Sequence, residues 1–104
     1  MIIFNTTFHV ANEVSQAYVL FLKTSYIPQA IASGFLMQPR FSRVMQDSTA
    51  DGESYSIQFR VKNVDTLNYW MEQEGRILNK ALVEKFGQSV VGFSTLLEEI
   101  KLGE

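Results

Sequence analysis

The order in which two hydrophobic periods alternate along this chain is what most limits the folds open to it. Ile2 to Val10 and Ser54 to Val61 alternate with period two, the spacing of a strand with one buried face. Asp65 to Phe86 repeats instead at helical spacing. With the segments between them, the chain reads strand, helix, strand, strand, helix, strand. That is the split βαβ, or ferredoxin-like, arrangement: an α+β fold, βαββαβ, with a four-stranded antiparallel sheet and two helices on one face. The other sheet face carries no helix, so something else has to meet it.

At 104 residues the chain can bury one core and is read as a single domain, residues 1–104, with a frayed tail from about 101. Cysteine is absent, which removes disulfides, thiolate nucleophiles and cysteine-based zinc sites. A lone histidine builds no transition-metal cluster, so neither metal nor cofactor is expected. The net charge of −2 argues against a general binder of nucleic acid or anionic membranes. Met1 to Asn5 lacks the basic start and apolar stretch of a signal peptide, and no apolar run approaches the roughly 20 residues that span a bilayer. The expected location is the cytoplasm, where the Asn5-Thr6-Thr7 sequon has no meaning.

In strand one, Ile2, Phe4, Thr6, Phe8 and Val10 share one face, and Ile3, Asn5, Thr7 and His9 the other. The first set belongs under the helices and the second on the open face. Helix one is expected to start at an Asn12 N-cap and to bury Val14, Ala17, Tyr18, Phe21, Leu22 and Ser25. Val19 and Leu20 fall off that stripe, which suits a helix covered on a second side by a partner chain. Pro28 predicts a break, then a short helix to Ser33 stopped by Gly34.

Strand two is expected over Phe35 to Met45, with Pro39 marking an edge or an irregular start. Its inward face is ambiguous, because Phe41 and Met45 compete with Leu36 and Val44. Asp47 to Gly52 is a run of turn formers that connects a hairpin. Strand three points Tyr55, Ile57, Phe59 and Val61 inward. Helix two is expected to have Asp65 as N-cap, a staple between Val64 and Tyr69, and Gly87 as its stop. Strand four runs from Val90 to Ile100.

Strands one and three are neighbours in this fold, so Asn5, Thr7, His9, Ser56, Gln58 and Arg60 form one outward patch, with Ser94 an addition from strand four. His9 titrates near neutrality and is the candidate acid or base, while Arg60 suits a carboxylate or phosphate. The other six are candidate ligand-binding residues. The plain alternative is a solvated sheet face, which alternation also produces. Glu74 is the second candidate acid or base. It falls between Met71 and Leu78 on the stripe Leu67, Met71, Leu78, Ala81, where a buried carboxylate must pair or take up a proton. Gly75 could instead loosen the helix there.

Tyr69 and Trp70 could stack on a flat ligand, though core and staple roles are commoner. Arg40, Arg43, Arg60 and Lys62 concentrate positive charge on one hairpin. Asp47, Thr49, Asp51 and Gly52 imitate half a calcium loop, but Gln58 stands where the bidentate Glu is required. RNA-recognition domains share this element order and stack bases on exposed aromatics. Here Tyr55 and Phe59 alternate toward the core, so RNA is not an expected partner.

Four strings stand out: Ile2-Ile3-Phe4-Asn5-Thr6-Thr7-Phe8-His9-Val10, Tyr26-Ile27-Pro28, Tyr55-Ser56-Ile57-Gln58-Phe59 and Gly92-Phe93-Ser94-Thr95-Leu96-Leu97-Glu98. With them the chain resembles, over essentially its whole length, a small bacterial domain-of-unknown-function family. The resemblance implies a shape similar to dimeric α/β barrels, in which two ferredoxin-like sheets face each other. That wider group holds cofactor-free monooxygenases, isomerases, mutarotases, haem-degrading enzymes and ligand domains of transcription factors. It implies a fold and an interior pocket, with no reaction attached. The expectation is a homodimer whose open faces enclose a small organic molecule. It would act as an enzyme using His9, as a non-catalytic ligand-binding or regulatory module, or as a purely structural dimer.

Overall fold

The computed structural model describes residues 1–45 and 51–103, so Asp47 to Ala50 of the hairpin connection and Glu104 lie outside the described residues. The expected βαββαβ order is present. Strand β1 (Ile2–Ala11) leads through a 3₁₀ turn (Asn12–Val14) into α1 (Ser15–Phe21), a π turn (Leu22–Tyr26) and α2 (Ile27–Ile31). Strands β2 (Leu36–Arg43) and β3 (Gly52–Val61) follow, then α3 (Val64–Trp70), a second π turn (Met71–Gly75), α4 (Arg76–Phe86) and β4 (Val90–Glu98). The sheet order is β2-β3-β1-β4, antiparallel throughout. No helix is long and apolar enough to cross a membrane.

The alternation read from strands one and three holds. Phe4, Phe8 and Val10 of β1 and Tyr55, Ile57, Phe59 and Val61 of β3 are buried together under the helices. Thr6 is buried with them, and its hydroxyl meets Ser94 Oγ at 3.0 Å. Strand β2 is an edge strand and is shorter than expected. Its ambiguity resolves through a bulge between Met37 and Arg40, where Gln38 takes a φ of 50° ahead of Pro39. One extra residue reverses the alternation. Leu36 and Phe41 therefore both turn inward, while Val44 and Met45 are exposed.

Both helical rods run on through a π turn, the first across Pro28, where a break was expected, and the second at Gly75, where a loosened helix was the alternative. Ile27 is αR (φ −64°, ψ −47°) despite the proline after it. The widened turn over Leu22–Tyr26 inserts a residue, so the Pro28 ring needs no break in the chain. The rod ends as anticipated at Gly34, whose φ is 85° and whose N–H donates to the Ile31 carbonyl. Three cap assignments change. Asn12 lies in the 3₁₀ turn and Val14 holds the N-cap position of α1. Asn63, not Asp65, caps α3, its Oδ1 accepting from the Thr66 N–H at 2.8 Å. Tyr69 meets Phe35 at near right angles, and Val64 is the first residue of α3 rather than the residue before its cap, the position a staple needs. Ala17, expected in the core, is exposed.

In the second rod the π turn decides which residues face the core. A regular wheel through Leu67 and Leu78 puts Glu74 on the stripe. The buried residues are instead Leu67, Trp70, Gly75, Leu78, Leu82 and Phe86. Trp70 and Gly75 are five apart, because the π turn adds one residue to that turn. Glu74 is thereby rotated off the stripe, and Met71 becomes exposed.

Beyond Val90, strand β4 has exposed residues on both faces. The helices stop short of it, which leaves two different surfaces on the two sides of the β1–β4 pair.

Candidate functional site

On the open face the six expected residues do lie outward, but they divide into separate groups. Asn5 sits at the centre, its Oδ1 accepting from Ser56 Oγ at 2.7 Å and its amide reaching Thr7 Oγ1 at 3.5 Å. His9 stands at the hairpin end, Nε2 lying 3.9 Å from Asp51 Oδ2, an ion pair only while the ring is protonated. Its ring shares a hollow of about 170 Å³ with Thr7, Ser54, Val91 and Phe93. Gly52 leaves room for this placement, since a Cβ there would come within 2.9 Å of the imidazole.

Gln58 and Arg60 line a second hollow of about 180 Å³ toward the other end of the strands. Arg60 is already engaged: its Nε donates to Glu99 Oε1 at 3.0 Å, a second nitrogen lies 2.9 Å from the same oxygen, and a third reaches Gln38 at 3.3 Å. Of the other hairpin cations, Arg43 pairs with Glu53 at 2.9 Å. Asn5, Thr7 and Ser56 are therefore engaged with one another, and Arg60 with Glu99 and Gln38 beside the patch. Beside it, Ile3, Val91, Phe93 and Leu97 form an apolar strip, with Phe93 66% exposed.

Ser94 does not belong to this patch. Opposite residues of an antiparallel pair share a face, and Ser94 pairs with the inward Thr6. It lies on the helix side of the sheet, where the sequence offered only Glu74 and the Tyr69–Trp70 pair as candidates.

That side carries a cleft of about 480 Å³ between β1, β4 and the second helical rod. Its sheet floor is Phe4, Phe8 and the Thr6–Ser94 hydroxyl pair, and its far wall is the π turn with Trp70, Met71 and Gly75. Trp70 is locked in place. It is 1% exposed, its indole N–H donates to the Ala30 carbonyl at 3.0 Å, and its ring meets Phe4 edge-on at 6.2 Å. Two glycines are required by this packing. A Cβ on Gly75 would lie 2.9 Å from the Trp70 ring, and one on Gly92 would lie 2.5 Å from Phe8.

Residues with four kinds of polar group line the cleft: Thr6 and Ser94 with hydroxyls, Tyr26 with a phenol, Asn79 with an amide and Arg76 with a guanidinium. Burial pushes the Tyr26 phenol up to about 12, so it is a neutral donor over the ordinary pH range. Its hydroxyl has no hydrogen bond among the described residues. Behind it, Tyr18 is wholly buried among Phe8, Phe41, Tyr55 and Phe86, with its hydroxyl unpartnered among the described residues. Burial first, then the neighbouring phenols of Tyr26 and Tyr55, raise it far above the ordinary tyrosine value. Glu74 is half-buried outside the cleft lining, and its carboxylate meets no donor or cation among the described residues, contrary to expectation. No group of three or more metal-ligating side chains converges among the described residues.

One sequence signal pointed here. A glycine inside an otherwise sound helix marks a close approach or a distortion, and Gly75 is both. The cleft itself was not legible, because its two walls are joined only by the π turn and the β1–β4 register.

Comparison with known proteins agrees with this architecture. A family model described as a domain of unknown function, DUF4286, matches residues 1–100. No curated protein sequence matches the chain. Among solved structures, HapK from Hahella chejuensis superposes with a TM-score of 0.72 at 11% identity, covering 100% of this chain and 97% of that one. A dimeric ferredoxin-like protein from an uncultured marine organism gives 0.70 at 10% identity, covering 100% and 99%. A MhuD variant with two manganese protoporphyrin IX molecules bound per active site gives 0.69 at 10% identity, covering 100% of both chains. At such identities the likeness is one of fold.

Proposed function

The chain belongs to the DUF4286 family, and on that premise we propose that it is a homodimeric protein binding a small, largely apolar organic molecule in the helix-side cleft. The observation that carries the proposal is the cleft's construction. About 480 Å³ falls within the roughly 300–1,000 Å³ of small-molecule sites, and such sites are apolar with a few placed polar groups. The space is held open by a π turn and two glycines that the packing requires. A purely structural dimer has no use for it. Binding is common to the enzymatic and regulatory readings.

A second copy is the natural cover for the open face, where Ile3, Val91, Phe93 and Leu97 would lose water. A solved neighbour described as a dimeric ferredoxin-like protein supports that arrangement. A second reading puts the ligand on this open face, enclosed by the dimer, with His9 as acid or base and Asn5, Thr7, Ser56, Gln58 and Arg60 around it. It is favoured by the position of His9, whose Nε2 lies 3.9 Å from Asp51 Oδ2 beside the hollow. The mutual satisfaction of Asn5, Ser56 and Arg60 weighs against it.

Native mass spectrometry of freshly purified protein tests both. The expected result is a dimer carrying a small extra mass in the wild type and in His9→Ala, lost in Ser94→Trp, whose indole fills the cleft. A mass lost with His9→Ala but kept by Ser94→Trp would transfer the site to the open face. A monomer mass refutes the dimer, and a dimer with no added mass in any variant counts against a bound ligand.

A further inference from the structure

We propose that the cleft selects a monoanion: an aromatic or otherwise flat apolar body ending in one carboxylate, which Arg76 receives at the cleft mouth. The inference deepens the cleft reading and rests on it. Among the side chains that line the cleft, Arg76 is the one that carries a charge, and no aspartate or glutamate lines it. Among the described residues, no carboxylate lies within ion-pair distance of its guanidinium, in a chain whose net charge is −2.

The contrast with the other arginines is instructive. Arg43 and Arg60 are each held by a glutamate, Glu53 and Glu99. Among the described residues Arg40 has no such partner, but it shares its hollow with Glu99, which would repel an anion. Among the described residues, Arg76 joins a cation without a carboxylate partner to the cleft of about 480 Å³, whereas Lys23 borders a hollow of about 260 Å³.

Geometry on α4 adds a second recognition group. Arg76 and Asn79 are three residues apart, so they stand side by side on one face of the helix. A guanidinium offers two parallel N–H donors to a carboxylate, and an adjacent amide supplies a third. A phosphate monoester carries nearly two charges and would leave one uncompensated here, so a carboxylate fits better. The rest of the molecule would lie against Phe4, Phe8 and Trp70, which meet flat apolar surfaces well. Attraction between guanidinium and carboxylate is stronger beside such low-polarity walls than in open water.

The reporter is built in, since Trp70 is the single tryptophan of the chain and forms a wall of the cleft. The test titrates the intact protein with 2-naphthoate and with the neutral alcohol of the same shape, 2-naphthalenemethanol, following Trp70 fluorescence at neutral pH. The wild type should bind naphthoate at least about tenfold more tightly, the order expected of one charge-assisted, forked contact. Arg76→Gln should erase that preference while leaving the alcohol's affinity within about twofold, and Arg76→Lys should keep part of it. Equal affinity of the two probes in the wild type, or a preference that survives Arg76→Gln, overturns the monoanion proposal and leaves the cleft reading standing. No response to either probe, with the protein folded, overturns the cleft reading and the anion preference with it.

Discussion

The two sides of the β1–β4 pair hold polar groups of similar kinds in opposite states. On the open face Asn5, Ser56, Arg60 and Glu99 satisfy one another, and water or a second copy can meet what is left. In the cleft, Tyr26 and Arg76 are without hydrogen-bond or ion-pair partners among the described residues, and the walls around them are apolar. A satisfied network has little to offer a ligand, because binding would first have to break it. Unsatisfied donors at the edge of a cavity gain from whatever fills it. The more polar surface is therefore the poorer candidate, and the apolar one the better.

The largest effect that can break this contrast is loss of the cleft's fixed wall. Trp70→Ala should destabilise the fold by about 3–5 kcal/mol, measured by urea unfolding, because it empties a fully packed site and strands the Ala30 carbonyl. Gly75→Ala should cost about 1–3 kcal/mol, since the added methyl meets an indole that cannot move away. A neutral Gly75→Ala would mean that the π turn relaxes freely and that the cleft is not held open by it.

Alkaline pH probes Tyr26 through the difference between the wild type and Tyr26→Phe, since Tyr18, also raised by burial, adds to the same fall. Tyr26 binds its proton more tightly folded, about 12, than unfolded, near 10, so its contribution is complete below pH 10 and is lost as pH rises toward 12. Tyr26→Phe should flatten the fall in stability across that window. An unchanged slope would show the phenol to be in contact with water.

Smaller effects belong to the open face. A double-mutant cycle on Asn5→Ala and Ser56→Ala should return a coupling of about 0.5–1.5 kcal/mol, the worth of one hydrogen bond. Arg60→Ala should cost less than about 1 kcal/mol and less still at high salt, because its pair with Glu99 is partly exposed. A coupling near zero for Asn5 and Ser56 would mean that the patch is available for binding after all.

What the sequence determined is what local periodicity can carry. Alternation along Ile2–Ala11 and Gly52–Val61 decided the strands, their buried faces and hence the ferredoxin-like order. Glycines 34 and 87, at positive φ, decided two helix ends. It also placed His9, Asn5, Thr7, Ser56, Gln58 and Arg60 outward, as observed. Each of these rests on neighbours in the chain or on one alternating strand. The caps and Ala17 aside, the misplacements follow, by contrast, from one inserted residue or from a partner far away in sequence. The β2 bulge settled the inward face of Leu36 and Phe41, and the π turn replaced Glu74 by Gly75 on the buried stripe. Pairing of Ser94 with Thr6 put a residue expected on the open face into the cleft. A wheel or an alternation assumes a constant step, and a single extra residue shifts everything after it. Only tertiary packing, which rewards Gly75 against Trp70 and Gly92 against Phe8, selects where that extra residue goes.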